Sequence, residues 1–240
     1  MSALAQFIGI GVGPGDPELL TLKAARLIRS ADVVSYLANP EGRSQARSIA
    51  SDALADAEKP QEFVPLLMPM AEDRRVANQV YDDAAITLRA ALDAGKTVVF
   101  LCEGDPLFFG SFAYMLERLQ AHYTCAVVPG ISSVNAASSA LQSPLTMLKE
   151  SFAVVSGRHS SEVLVDTLTR SDSVVIMKAG LSRPKILAAL SQTNRLADAA
   201  YLEYIGRDNE LIVGDVSQLA QEPGPYFSLF VITRSSRDRT

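Results

Sequence analysis

The chain has 240 residues, 48% hydrophobic and 20% charged, with a formal net charge of -5. This composition excludes a disordered chain, allows one large domain or two small ones, and argues against a nucleic-acid partner, which needs a basic footprint. Two cysteines, Cys102 and Cys125, and two histidines, His122 and His159, form neither C-x-x-C nor H-E-x-x-H, so no protein-held metal is expected.

The opening stretch Met1–Gln6 lacks the basic start of a signal peptide. No apolar run approaches the roughly 20 residues that span a bilayer. The expectation is a cytoplasmic protein with no membrane contact. Gln6 to Val12 reads as a strand ending in glycines. Asp16-Pro17-Glu18 then opens a helix, with a cap, a proline at the first helical position and an acid at the positive end of the dipole. Asp32 to Leu37 is a second strand. Ser44 to Ala57 and Asp73 to Ala94 read as helices, with a short strand, Glu62 to Val64, between them. Gly95 closes the long helix. Lys96 to Cys102 is strongly β-prone, Phe109 to His122 helical, and Thr124 to Val128 a strand. Ser132 to Ala140 is a tightly packed helix of small residues. This alternation predicts a mainly parallel sheet covered on both faces.

After Leu141 the pattern changes, and Ser143-Pro144 reads as a linker. Phe152 to Ser156 and Val174 to Met177 are strands, followed by helices near Ser161 to Thr169 and Arg183 to Gln192. Tyr201 to Ile205, Leu211 to Asp215 and Tyr226 to Thr233 are strands with turn-rich links. The reading is an α/β protein of two domains, residues 1–141 with a mainly parallel sheet and 142–240 with a mixed one.

Three strand ends carry candidate chemistry. The first is Gly9-Ile10-Gly11-Val12-Gly13-Pro14-Gly15-Asp16. It fails the dinucleotide fingerprint: counted from Gly9 the third glycine falls on Pro14, and from Gly11 on Asp16. Pro14 has no N–H for a phosphate, and Asp16 would repel one. The glycines serve either a tight turn or a close backbone approach to a ligand. The second is Glu103-Gly104-Asp105-Pro106-Leu107-Phe108-Phe109-Gly110. Pro106 holds Asp105 extended, so its carboxylate either faces a ligand's hydroxyl, amino or sulfonium group or caps the next helix. Phe108, Phe109 and Phe112 are core or pocket wall. The third, Pro129-Gly130-Ile131-Ser132-Ser133, places two hydroxyls that either bind a ligand or cap.

Taken in order, these residues resemble the tetrapyrrole (corrin/porphyrin) methyltransferase family. Gly11 to Pro17 with Leu19 to Ala25 resembles its first motif, Gly104-Asp105-Pro106 with Phe108 and Gly110 its second, and Pro129 to Ser133 its third. Met177-Lys178 and Glu203 to Gly206 with Glu210 resemble its C-terminal motifs. Glu103 to Phe112, Met68 to Asp73 and Ser44 to Ala50 are similar to the branch that methylates C20 of precorrin-2. Glu103 stands where siroheme-type members carry glycine.

The resemblance implies a homodimer of two-domain chains that binds S-adenosylmethionine in the cleft between the domains and releases S-adenosylhomocysteine. The substrate is a tetrapyrrole. Implied cofactor contacts are Pro14, Glu103, Gly104, Asp105, Phe108, Ser132, Ser133, Met177, Lys178, Tyr204, Ile205, Leu229 and Phe230. Gly13, Gly15, Tyr36, Phe109, Arg158 and Arg207 are candidates for substrate binding, and Arg183 and Lys185 for its carboxylates. Glu103 and Asp16 are the candidate proton acceptors. A cobalt-containing substrate, another ring carbon, or cofactor binding without turnover are the competing readings.

Overall fold

A computed structural model describes residues 6–69 and 73–234. Expectations for Met1–Ala5 and for the middle of the Met68–Asp73 loop lie outside them. The chain divides into two compact units, Met1–Ser132 and Ser133–Thr240.

The first unit is built on five strands: β1 (Phe7–Gly11), β2 (Val33–Ala38), β3 (Glu62–Leu67), β4 (Val98–Cys102) and β5 (Cys125–Val128). Every pairing is parallel, in the order β3-β2-β4-β1-β5. All five carboxyl ends therefore lie along one sheet edge, with β4, β1 and β5 adjacent. β1 and β4 are buried at every residue, as expected for strands covered on both faces. One face packs Ile8, Ile10, Val34 and Tyr36 against Ala24, Ile28 and Ile49. The other packs Phe7 and Phe100 against Leu88, Leu92, Phe112 and Met115.

α4 (Arg74–Asp93) has the limits its sequence marks, with Asp73 capping Arg75 N and Gly95 beyond its end at φ 75°. The strand expected over Glu62–Val64 runs on to Leu67, and three helices of this unit differ from expectation. The helix expected from Asp16 is a single 3-10 turn, Pro17–Leu19, then a break, then α1 (Leu22–Ser30). Two caps act in succession: Asp16 accepts from Glu18 N, and Thr21 accepts from Ala24 N. The helix expected over Ser44–Ala57 is split into α2 (Gln45–Ile49) and α3 (Ser51–Ala55) by Ala50. Ala46, Ile49, Ala50 and Ala53 all join the core there, so tertiary packing overrides the propensity of alanine. α5 spans only Phe112–Leu119, because Phe109 is left-handed at φ 56° and Gly110 is pressed against the Pro106 carbonyl.

The second unit begins with α6 (Ser133–Ala140). The division falls before this helix and not after Leu141, because Val134, Ala136 and Ala137 pack on Val175, Leu202, Leu229 and Val231 of the second sheet. That sheet comprises β6 (Phe152–Ser156), β7 (Ser173–Met177), β8 (Ala199–Glu203), β9 (Leu211–Val213) and β10 (Ser228–Thr233). Its order is β6-β7-β10-β8-β9. β6 and β7 are parallel and the other pairs antiparallel, so the sheet is mixed. α7 (Ser161–Arg170) and α8 (Arg183–Gln192) cover one face through Leu164, Leu168, Ile186 and Leu190. Among the described residues no helix is long and apolar enough to cross a membrane.

Candidate cofactor and active site

The three motif loops interlock at the carboxyl ends of β4, β1 and β5. Val12 N donates to Cys102 O at 2.9 Å, continuing the β1–β4 pairing past its end. Gly13 and Gly104 then form an isolated antiparallel bridge, with Gly104 N donating to Gly13 O at 2.7 Å. Both glycines are left-handed, at φ 85° and 63°, so a side chain at either would strain the junction. Gly11 and Gly130 touch backbone to backbone. A Cβ on Gly11 would stand 2.5 Å from Gly130 N and 2.6 Å from Gly104 O.

Asp105 ties the same loops through its carboxylate. Oδ1 accepts from Leu107 N at 2.9 Å and Phe108 N at 3.1 Å, and Oδ2 accepts from Gly130 N at 3.1 Å. It caps its own turn and not α5, whose cap position is Ser111. Asp16 spends Oδ1 on Glu18 N at 2.8 Å. Glu103 stands exposed at the end of β4. Its neighbour Cys102 is wholly buried, and burial pushes that thiol far above the ordinary cysteine range.

Around this junction the apolar surface is open. Leu107, Phe108, Phe109 and Ile131 are all exposed. The Phe108 and Phe109 rings meet edge to face at 5.2 Å. Pro14, Gly13 and Gly15 are buried in the first loop, and Ser132 is half-buried. Tyr36 is also buried, with the Arg47 guanidinium 5.9 Å over its ring. It belongs to the core face of β2.

In the second unit Met177 ends β7, and its carbonyl accepts from Gly157 N at 2.7 Å. Lys178 follows in the left-handed region at φ 55°, and Tyr204, just past β8, is left-handed at φ 51°. Tyr204 N donates to Phe227 O at 2.9 Å. The Arg207 guanidinium lies 4.0 Å from the Phe227 ring centre and 5.7 Å from that of Tyr204. Ser133 opens α6, and Ile205, Leu229 and Phe230 are buried side chains of the second unit. β10 is paired on both sides, to β7 and β8. Arg158 is exposed.

Arg183 corrects an expectation. It was a candidate for substrate carboxylates, yet it is buried, with Nε donating to Glu222 O at 2.6 Å and Nη2 to Pro223 O at 3.3 Å. Nη1 lies 3.8 Å from Glu203 Oε1. A guanidinium so committed holds the 222–228 loop to β8. Sequence reasoning also missed the Gly11–Gly130 contact. Its only signal is a glycine at each of two strand ends whose adjacency the sequence does not state.

Residues 6–220 match the family model described as Tetrapyrrole (Corrin/Porphyrin) Methylases. The chain belongs to this family. Among relatives, the cobalamin biosynthesis protein CobIJ of Mycobacterium tuberculosis is 35% identical over 99% of this chain and 47% of that one. The chain thus spans about half the length of that relative. A precorrin-2 C(20)-methyltransferase of Sinorhizobium sp is 34% identical, covering 95% of each chain. The uroporphyrin-III C-methyl transferase of Thermus thermophilus, solved in complex with S-adenyl homocysteine, shares 26% identity with a TM-score of 0.68, covering 95% of this chain and 97% of that one.

Proposed function

We propose that the protein transfers a methyl group from S-adenosylmethionine to C20 of precorrin-2, giving precorrin-3A in cobalamin biosynthesis. The observation that carries this reading is the junction of Gly11, Gly13, Gly104 and Gly130 within a chain of the methylase family. The Sinorhizobium relative, similar along nearly the whole chain, supports C20 as the position.

The residues at the strand ends suit this cofactor. Exposed Phe108 and Ile131 offer apolar surface for a purine, and exposed Glu103 offers a carboxylate for hydroxyl or amino donors. When bound, S-adenosylmethionine supplies an electrophilic methyl group on a good leaving group. The protein's task is then chiefly positioning. Pro14, Glu103, Gly104, Asp105, Phe108, Ser132, Ser133, Met177, Lys178, Tyr204 and Ile205 are the contacts we propose, with Leu229 and Phe230 contributing through their place in β10. At Asp105 the contact falls to the backbone, since its carboxylate serves three amides. Gly13, Gly15, Phe109, Arg158, Arg207 and the Tyr36 region are proposed for the substrate. C20 must lose a proton after methylation. Glu103 and Asp16 are the proposed acceptors, and Asp16 Oδ1 also caps Glu18 N. We further propose a homodimer in the cytoplasm, with sedimentation as the check on dimerisation.

The deciding experiment is incubation with precorrin-2 and methyl-labelled cofactor, followed by locating the label. Label at C20 is expected. Label at another ring carbon, or none, overturns the assignment. A parallel incubation with cobalt-factor II decides which substrate is methylated faster.

A further inference from the structure

We infer that Asp105 is a positioning residue: its carboxylate is the clasp that sets the spacing of the β4 and β5 loops for the cofactor, and it neither accepts a proton nor acts on the sulfonium as a charge. The inference rests on the proposed function for the identity of the ligand. A carboxylate has about four acceptor positions, and three are filled by Leu107 N, Phe108 N and Gly130 N. Two of those donors lie in its own turn and the third lies in another loop. Gly130 in turn abuts Gly11 and the Gly104 carbonyl, and Gly104 is bridged to Gly13. One side chain therefore closes a ring of backbone contacts through all three motif loops. A proline at 106 disfavours the helical region for the residue before it, and the Asp105 carboxylate reaches across to Gly130 N. Hydrogen bonds from N–H groups to a carboxylate are the stronger kind, which suits this side chain to closing the ring.

Asparagine cannot replace this clasp. With its oxygen on Leu107 and Phe108, its NH2 group meets the N–H of Gly130, donor against donor. Turned the other way, it abandons both turn amides.

The test compares the wild-type protein with Asp105→Asn and Asp105→Ala. Calorimetry measures the Kd of S-adenosylmethionine, which carries the sulfonium, and of S-adenosylhomocysteine, which does not. Hydrogen exchange follows the Gly130 amide, and steady-state kinetics separate KM from kcat. The expected result for Asp105→Asn is faster exchange at Gly130 and a Kd raised by the same factor for both ligands. One lost charge-assisted hydrogen bond predicts roughly 10-fold or more. KM for the cofactor rises in step while kcat at saturation stays within about threefold. Weakening of the sulfonium ligand alone would overturn the inference in favour of a direct charge effect. Collapse of kcat at unchanged KM would overturn it in favour of proton transfer. Unchanged Gly130 exchange would also overturn it. Should the wild-type protein bind neither ligand, the proposed function falls, and the exchange measurement still decides whether Asp105 holds the loops.

Discussion

Gly104 N donates to Gly13 O at 2.7 Å, while the return bond from Gly13 N to Gly104 O is 3.4 Å. The pair is thus a two-residue antiparallel ribbon set on the edge of an entirely parallel sheet. It turns the loops after β1 and β4 across the strand ends, and the close contact of Gly11 with Gly130 adds the loop after β5.

Gly11→Ala tests that packing. The added methyl would meet Gly130 N and Gly104 O, both backbone atoms with little freedom to yield. A loss of about 1–3 kcal/mol in urea denaturation is expected for such overpacking, together with loss of cofactor binding. Gly42→Ala is the control: it is left-handed at φ 80° with nothing near a Cβ. It is expected to lose about 1 kcal/mol from backbone strain and to bind cofactor normally. Equal binding by both variants would show that the glycine junction does not shape the site.

Arg183→Met should be among the most damaging substitutions in the second unit. It strands the carbonyls of Glu222 and Pro223 and leaves Glu203 without its cation. The loss expected from breaking a largely buried ion pair is roughly 3 kcal/mol. Arg183→Lys should recover only part of it, because one ammonium cannot match the planar fork. A urea midpoint unchanged in Arg183→Met would refute the role of this residue as a latch.

Asp32 provides a pH-dependent contribution. It pairs with Lys59, and Oδ2 accepts from Thr97 N at 2.8 Å. The Lys59 and Thr97 hydrogen bonds hold its carboxyl below the usual range. A lowered pKa stabilises the folded state above the unfolded value of about 3.9, and this stability is lost as pH falls through the folded value. Asp32→Asn should therefore be less stable than the wild type by about 1 kcal/mol at pH 7. The difference should close only as pH falls below the unfolded value and through the lowered native one, where the native carboxyl takes up its proton. A pH-independent difference would mean that the charge is not the cause.

The two thiols should differ in reactivity. Cys102 is buried and Cys125 half-buried, and burial raises both above the ordinary thiol range. Because the thiolate is the reactive form, a thiol reagent at pH 8 should modify Cys125 slowly and Cys102 only after unfolding. Rapid native labelling of Cys102, located by peptide mapping, would contradict the packing of β4.

Strand ends and caps were legible in the sequence because their signals are local. Asp73 and Gly95 bracket α4, and apolar runs with glycine behind them mark β1 and β4. The break at Ala50 was not legible, since alanine favours helix and only packing under β2 divides the segment. The same holds for the site. The motif order announced the three loops, but the acceptor role of Asp105 toward Gly130 spans 25 residues and depends on β1 lying between β4 and β5. Arg183 was misjudged for a like reason: exposure is assumed for a lone arginine, and its carbonyl partners lie 39 and 40 residues away.

The break between the first loop and α1 has an electrostatic consequence. Phosphate-binding folds aim a helix start, with its partial positive charge, at the ligand. Here the loop is followed by one 3-10 turn whose Glu18 N is occupied by Asp16, and α1 begins only after Thr21 has taken Ala24 N. The helix that follows the first loop therefore does not open toward its glycines, and Asp16 and Glu103 add acidic side chains beside them. Such a loop disfavours adenosine ligands that carry phosphates and tolerates one that carries a cation. ATP and NAD should therefore compete poorly with S-adenosylmethionine for the site.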